Sequence, residues 1–321
     1  MIKYFIRRII TAFIIVLVVI GINFVIIRVA PGDPVTIMAG FDNPNEEFKQ
    51  AIREKYELDA PLVVQFKTYV SNLLHGDLGV SYFSNKTVTS LIGERFGASL
   101  LLSGTSALLS FIIGVLSGLY AGRKEGEIGD RILSAGNYVC NAMPSFWLGM
   151  MLILIFASHL HIFPTQGMYS MMVASTGLAR WKDLLWHLVL PVVTLTLIQI
   201  PIYFRITKSS VIQAMTEDYI TTFRIAGMKE GKIFRKYVLK NAILPVITVF
   251  GINLAYVVSG SALVETVFSW PGIGILMYQS IANRDYNILL GVYLIIAISV
   301  AFFMILIDLV YVKLDPRIRY E

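Results

Sequence analysis

The segment DYITTFRIAGMKEGKIFRKYVLKNAILPV, residues 218 to 246, decides how the chain is interpreted, because it is polar and basic within a strongly apolar sequence. Of the 321 residues, 56% are apolar and only 15% are charged, and the mean hydropathy is +0.70. Soluble domains carry about 25% charged residues. The composition therefore predicts an integral membrane protein, in which this segment lies beside the membrane.

Six uncharged stretches are long enough to cross a membrane as helices: 9–27, 98–121, 132–157, 184–204, 242–264 and 288–307. A hydrocarbon core of about 30 Å needs about 20 helical residues. We therefore predict an all-α membrane protein with six transmembrane helices. The first stretch is longer than the apolar part of a typical signal peptide, and no typical cleavage site follows it, so we expect it to remain as an anchor.

Basic residues predict the orientation. Segments 1–8, 122–131, 205–241 and 308–321 carry 17 Lys and Arg, whereas the two short segments on the other side carry only Arg180, Lys182 and Arg284. Lys and Arg favour the cytoplasmic side, so both termini and the quoted segment are predicted to be cytoplasmic. The same bias explains the isoelectric point near 9.2 without nucleic-acid binding.

The chain divides into three predicted regions: an N-terminal transmembrane helix (1–27), an external loop subdomain (28–97) and a five-helix core (98–321). Apolar spacing within the external region predicts two short helices, one from Asp42 to Tyr56 and one that follows Pro61 and stops at Gly76. In the second span, small residues recur every four positions at Gly114, Gly118 and Gly122. Such spacing lets helix backbones approach closely, and we expect contacts within the chain.

Several kinds of chemistry are not indicated. The stretch from Gly227 to Ile233 has three residues between its glycines where a phosphate-binding loop needs four. The six predicted spans carry no Asp, Glu, Lys or Arg except Glu265 and Asp308 at their edges, whereas a secondary carrier is expected to place ionisable groups at mid-membrane depth. The pair His159 and His161 falls short of a metal site. We expect no catalytic, cofactor or metal site in this chain.

The quoted segment itself predicts two amphipathic helices around a turn. Upstream, apolar residues recur at Val211, Met215 and Tyr219, and downstream at Ile233 and Tyr237, opposite polar and basic positions. The turn falls at residues 226 to 228. A compact, partly apolar knob is therefore predicted on the cytoplasmic side, although a basic loop lying on the lipid surface has a similar pattern.

This segment resembles the EAA loop of permease subunits in bacterial ABC importers, whose glycine is followed downstream by a Leu-Pro like Leu244-Pro245. Nearly the whole chain is similar to the peptide/nickel permease family, in the subunit type with a large first external loop. The supporting stretches are RRIITAF, RVAPGDPV, IREKYELDAPLVVQF, GDLGVSY, RIAGMKEGKIFRKYVLKNAILPV and ETVFSWPGIGILMYQSIANRDY. One departure is Thr221-Thr222-Phe223, which stands where the family has Glu-Ala-Ala.

The resemblance implies a type I importer fold in the bacterial inner membrane and a set of partners. A second related permease subunit would pair with this chain, two cytoplasmic ATPase subunits would bind ATP and Mg²⁺, and an external binding protein would deliver the solute. Residues 226–230 would form a coupling helix that fits a groove in the ATPase. The candidate coupling residues are Thr222, Arg224, Ala226, Gly227, Met228, Lys229 and Glu230.

The implied substrates are oligopeptides or dipeptides, with nickel or another metal chelate as the alternative within the family. A stand-alone carrier or channel, or an intramembrane enzyme, are alternatives outside it. Four residues are candidates for the translocation path: Asn253, Ser259, Glu265 and Asp285. Each also has a structural interpretation, as an interhelical hydrogen bond or a helix cap.

Overall fold

A computed structural model describes residues 2–29, 46–55, 59–172 and 176–314, and these ranges are mostly helical. The α-helices are α1 (Ile2–Val29), α2 (Glu46–Lys55), α3 (Leu62–Leu74), α4 (Val88–Arg123), α5 (Ile128–Ala142), α6 (Ser145–Leu152), α7 (Leu178–Met215), α8 (Asp218–Ile225), α9 (Glu230–Ile233), α10 (Leu239–Ala255), α11 (Ala262–Val267), α12 (Ile273–Ala282) and α13 (Tyr286–Leu314). The end of the bundle near Arg123 and Met215 is called the inner end, because the basic residues predict it to face the cytoplasm.

The prediction of an all-α membrane protein is confirmed. Among the described residues, five helical segments are long and apolar enough to span a membrane: 6–26, 88–123, 178–215, 230–259 and 286–307. A sixth span is formed if the bent pair of α5 and α6 counts as one. The number of spans is therefore five or six.

The predicted third span, 132–157, is not a straight helix. Helices α5 and α6 meet at 104°. The break falls at Met143 and Pro144, whose backbones are extended (ψ 131° and 137°). A proline pushes the residue before it out of the helical region, so α5 ends at Ala142. Beyond α6 the chain continues as a π-helical segment from Ile153 to His159.

Two other predicted boundaries also shift. Helix α4 begins at Val88, ten residues before the predicted span, so its first turns belong to the region assigned to the external subdomain. The fifth span ends at Ser259 rather than at 264, because Gly260 takes a φ of +66° and breaks the helix. Glu265 consequently lies on the separate short helix α11.

The external segment contains both predicted short helices, α2 and α3, and α3 is followed by Gly76 with a φ of +78°. The predicted positions Asp42 and Tyr56 lie outside the described residues. Helix α3 packs on α1 through Phe24, whose ring centroid is 5.2 Å from that of Phe66 and 5.9 Å from that of Tyr69. Burial raises the pKa of Tyr69 to about 12.

Among the described residues, α4 and α7 form the most extensive helix pair. A methyl group added to Gly114, Gly118 or Gly122 would approach the side chain opposite it on α7 to 2.6, 2.6 and 2.8 Å, respectively; the residues opposite are Tyr203, Thr207 and Val211. Such distances are closer than real carbon atoms come. The predicted contact of the small-residue stripe within the chain is thus confirmed, and we call this interface the glycine seam.

Candidate functional site

The quoted segment folds into a hairpin at the inner end, formed by α8, the turn 226–229, α9 and the π-helical segment Phe234–Val238. Its apolar side chains form one buried cluster with Val211 of α7: Ile220, Ile233 and Val238 are at most 1% exposed. The rings of Phe223 and Tyr237 lie 4.3 Å apart. The inner hairpin is therefore a packed knob attached to the inner end of α7.

The predicted coupling helix at 226–230 is wrong in its position, because residues 226–229 form a turn. Gly227 has a φ of +74°, its N–H donates to the carbonyl of Arg224, and the N–H of Met228 donates to that of Phe223, each at 3.0 Å. This is the Schellman pattern that ends helices at a left-handed glycine. The two short helices of the hairpin lie on either side of this turn, α8 before it and α9 after it.

The candidate coupling residues are brought together around this turn. Arg224 and Glu230 pair across it, with Nε 2.8 Å from Oε1, and Met228 is half-buried. Thr222 donates to the carbonyl of Asp218 at 3.2 Å. Thr222, Ala226, Gly227 and Lys229 are exposed. Glu230 is therefore engaged within the chain.

Sequence reasoning missed Ile225, the last residue of α8. Its side chain is 83% exposed at the tip of the hairpin, whereas the other large apolar residues of α8 pack inward. The sequence could have indicated this exposure, because Ile225 lies just before the predicted glycine turn and outside the apolar stripe of α8. Ile225 is therefore an apolar side chain that the packing of the hairpin leaves uncovered.

A groove with an apolar surface and several polar side chains runs between α4, α5, α7 and α10. It consists of an outer cavity of about 420 Å³ and an inner cavity of about 400 Å³, and both are lined by Asn141 and Arg205. Amide and hydroxyl side chains line much of the groove: Ser103, Asn253 and Ser259 in the outer cavity, Ser134, Asn137 and Gln213 in the inner one. Among the described residues, no group of three or more His, Cys, Asp or Glu is placed to hold a metal ion.

Two of the four candidate path residues line this groove. Asn253 donates through Nδ2 to the hydroxyl of Tyr203 at 2.8 Å, and Ser259 donates to the carbonyl of Tyr256 at 2.6 Å. The bond of Asn253 connects α10 to α7, and the bond of Ser259 satisfies a backbone carbonyl just beyond the outer end of α10. Both residues thus face the groove and also hold its walls.

Glu265 lies outside the groove lining and is fully buried. It accepts hydrogen bonds from Ser99 Oγ of α4 at 2.9 Å and from the N–H of Ile275 at 2.8 Å. Gly272 and Gly274 approach so closely that a side chain there would meet the carboxylate. Burial raises the pKa of Glu265, and the hydrogen bonds oppose this rise. The residue fastens α4 to the segment between α10 and α12.

Asp285 also lies away from the groove and is 1% exposed. Its Oδ2 accepts from Ser81 Oγ at 2.5 Å and from the N–H of Phe83 at 3.3 Å. Its carbonyl accepts from Leu289, in the first turn of α13. Asp285 therefore ties the segment between α3 and α4 to the start of α13.

Helices α5 and α7 extend beyond the uncharged stretches predicted for them, and the added turns carry charged residues. Helix α7 reaches Met215 and thus includes Arg205 and Lys208. Lys208 pairs with Asp130 of α5 and lies 3.1 Å from Ser134 Oγ. Asp130 also accepts from the N–H of Gly126 at 3.0 Å. A satisfied ion pair at the inner ends of two helices explains how α7 extends beyond its uncharged stretch.

Comparisons with known proteins give this arrangement a family. Residues 114–320 match the binding-protein-dependent transport system inner membrane component, and residues 1–103 match the N-terminal part of the corresponding membrane component. The chain is 37% identical over 318 residues to a probable peptide ABC transporter permease of Sinorhizobium fredii, with 99% of each chain covered. It is 34% identical over 321 residues to an oligopeptide transport system permease of Bacillus subtilis, with 100% of each covered.

A solved structure of the MetNI methionine ABC transporter in inward-facing conformations has a similar fold, with a TM-score of 0.54 and 20% identity over 71% of this chain and 97% of that one. The family matches together cover nearly the whole sequence, including the inner hairpin, the groove and the external segment. The chain therefore belongs to the family of binding-protein-dependent transport system inner membrane components, and it is a multi-pass inner-membrane protein of the ABC permease type.

Proposed function

We propose that this chain pairs with a second, related permease subunit to form the path by which peptides enter the cell, and that an external binding protein delivers them. The full-length relatives named for peptide and oligopeptide transport support the substrate class. The observation that carries the proposal is the set of amide and hydroxyl side chains that line the groove. Its amide side chains both donate and accept hydrogen bonds, as the peptide backbone does.

Energy would come from partner chains. Two cytoplasmic ATPase subunits would bind ATP and Mg²⁺, and this chain would be non-catalytic. The inner hairpin is the proposed docking element, since it is internally packed and presents Ile225 and Lys229 at its tip. Closure of the ATPase dimer would move the two hairpins together and turn the groove from the inner side to the outer side of the membrane.

The hairpin part of the proposal is tested in proteoliposomes that contain both permease subunits, both ATPases and the binding protein. Ile225→Lys is expected to reduce peptide uptake at least tenfold, because burying an unpaired ammonium at an interface is costly. Ile225→Leu keeps an apolar tip and should retain uptake. Gly227→Asp has room for its side chain but strains the left-handed turn (φ +74°), so it is expected to distort the hairpin tip and uncouple ATP hydrolysis from uptake while insertion remains intact. Full uptake in both Ile225→Lys and Gly227→Asp would refute the docking role.

Two further measurements decide orientation and substrate. In a Cys140→Ala background, Lys229→Cys is expected to resist an impermeant thiol reagent added to intact cells, and labelling from outside would reverse the proposed orientation. Uptake of a short peptide is then compared with uptake of a nickel chelate, which is the alternative substrate class. Uptake of the chelate without the peptide would replace the proposed substrate.

A further inference from the structure

Arg205 differs from the other charged residue of the groove. It lines both cavities and is exposed, and within the described part of the chain its side chain forms no ion pair or hydrogen bond. Lys208, one turn further along α7, is neutralised by Asp130 and contacts Ser134. The positive charge of Arg205 is therefore uncompensated where the two cavities join.

The neighbours of Arg205 in the groove are neutral. Asn137, Asn141 and Gln213 contribute amides, and no carboxylate stands among the described residues that line either cavity. Arg205 lies where the outer and inner cavities join, since it lines both, and the inner cavity continues along the same helix as far as Gln213. A charge in such a position favours an anionic ligand.

We propose that Arg205 binds the terminal carboxylate of a transported peptide where the two cavities of the groove join; this rests on the proposed function. The guanidinium offers a planar fork of N–H donors that fits a carboxylate with two parallel hydrogen bonds. A lipid phosphate would meet the guanidinium from outside the bundle, whereas Arg205 lines the cavities on the groove side. The surrounding amides suit the peptide groups that precede the carboxylate.

The test uses the assembled, nucleotide-free complex with Cys140→Ala and Tyr138→Cys in this chain. Tyr138 lines the inner cavity and is 74% exposed, so a bound peptide should slow its modification by a soluble maleimide. An N-acetylated dipeptide with a free carboxylate is compared with the same dipeptide as its amide. The free acid is expected to protect at a concentration about tenfold lower, as a charge-assisted hydrogen bond implies.

Arg205→Gln should abolish this preference, so that the acid protects no better than the amide. Arg205→Lys keeps the positive charge but lacks the planar fork of donors, so it should retain part of the preference for the acid. Arg235→Gln removes an exposed cation that lines neither cavity and should keep the full preference. Maleimide modification of each variant without peptide shows whether the cavity remains intact.

Equal protection by acid and amide in the unsubstituted Arg205 complex would overturn the proposal, whatever the variants do. An unchanged acid preference in Arg205→Gln would overturn it as well. Peptide uptake by the complete transporter is measured alongside. If uptake is absent, the proposed function fails; if uptake occurs and only the acid preference is missing, the function stands and the carboxylate site alone is wrong.

Discussion

The two faces of α7 contact their neighbouring helices in different ways: one face packs on α4, and the other contacts α5 and α10. Toward α4, three glycines of α4 meet the α7 residues Tyr203, Thr207 and Val211 so closely that a single methyl group does not fit. Toward the groove, α7 contacts α5 and α10 through polar pairs, Lys208 with Asp130 and Tyr203 with Asn253. The first face leaves no room for a side chain at these three positions of the opposite helix, whereas the second combines apolar packing, such as that of Tyr203 with Val246, with directional polar contacts.

This difference separates a fixed part of the bundle from an adjustable one. Close packing in lipid depends on many small contacts at once, and packed interfaces resist continuous deformation. The side of α7 that faces α5 and α10 has apolar packing as well, and it adds a hydrogen bond and an ion pair that can each be exchanged singly. We therefore expect α4 and α7 to move as one body, which contributes Ser103 and Arg205 to the groove.

Lys208→Met should give the largest loss on the groove side. Asp130, whose side chain is 6% exposed, would remain as a buried unpaired carboxylate, and such a loss is expected to lower the free energy of unfolding by about 3 kcal/mol. The double change Asp130→Asn with Lys208→Met should recover at least half of it. Denaturant unfolding of the purified chain in detergent measures both. A single variant as stable as the wild type would show that the pair does not hold α5.

Gly118→Ala tests the seam. The added methyl would lie 2.6 Å from Thr207 Cβ and 2.8 Å from the carbonyl oxygen of Phe204, so overpacking should reduce stability by about 2 kcal/mol. Gly97→Ala is the matched control on the same helix, because a methyl there meets nothing within 4 Å; it should be neutral or stabilising, since alanine is the better helix former. Equal thermal unfolding midpoints for the two variants would mean that the seam tolerates separation.

Asn253→Ala should have the smallest effect on stability. It leaves the hydroxyl of the buried Tyr203 without its partner, at a cost of about 1 kcal/mol. Because the removed amide also faces the outer cavity, peptide uptake should decrease more than stability does. The check is uptake per folded transporter, and Tyr203→Phe is the comparison, because it breaks the same bond but leaves the amide in the groove. Identical uptake in the two variants would assign Asn253 a structural role only.

Helical class, the two external helices, the small-residue stripe and the turn at Gly227 were predictable, because each depends on local spacing or on a single residue type. The bend at Pro144 was missed because an uncharged stretch of sufficient length was counted as one rod. Hydropathy also ended the fourth span before Arg205, since a count of charges along the sequence cannot show that Lys208 finds Asp130 on another helix.

The four candidate path residues fall into two groups, which the sequence could not separate for a similar reason. Asn253 and Ser259 line the groove, whereas Glu265 and Asp285 have hydrogen-bond partners that are distant in sequence, Ser99 and Ser81. A carboxylate looks alike in sequence whether it faces a path or a buried hydroxyl group. Arg205 was counted only as a positive-inside residue, because its missing partner becomes visible only when the surrounding helices are in place.

The bend between α5 and α6 has a consequence for biogenesis. At Met143 and Pro144 the backbone is extended, so its polar groups cannot all be satisfied within one helix, and exposure of such groups to lipid tails is expensive. Helix α6 packs against α7 and α11, which are synthesised later. We therefore expect the bend to reach its final packing only after α7 and α11 have been synthesised.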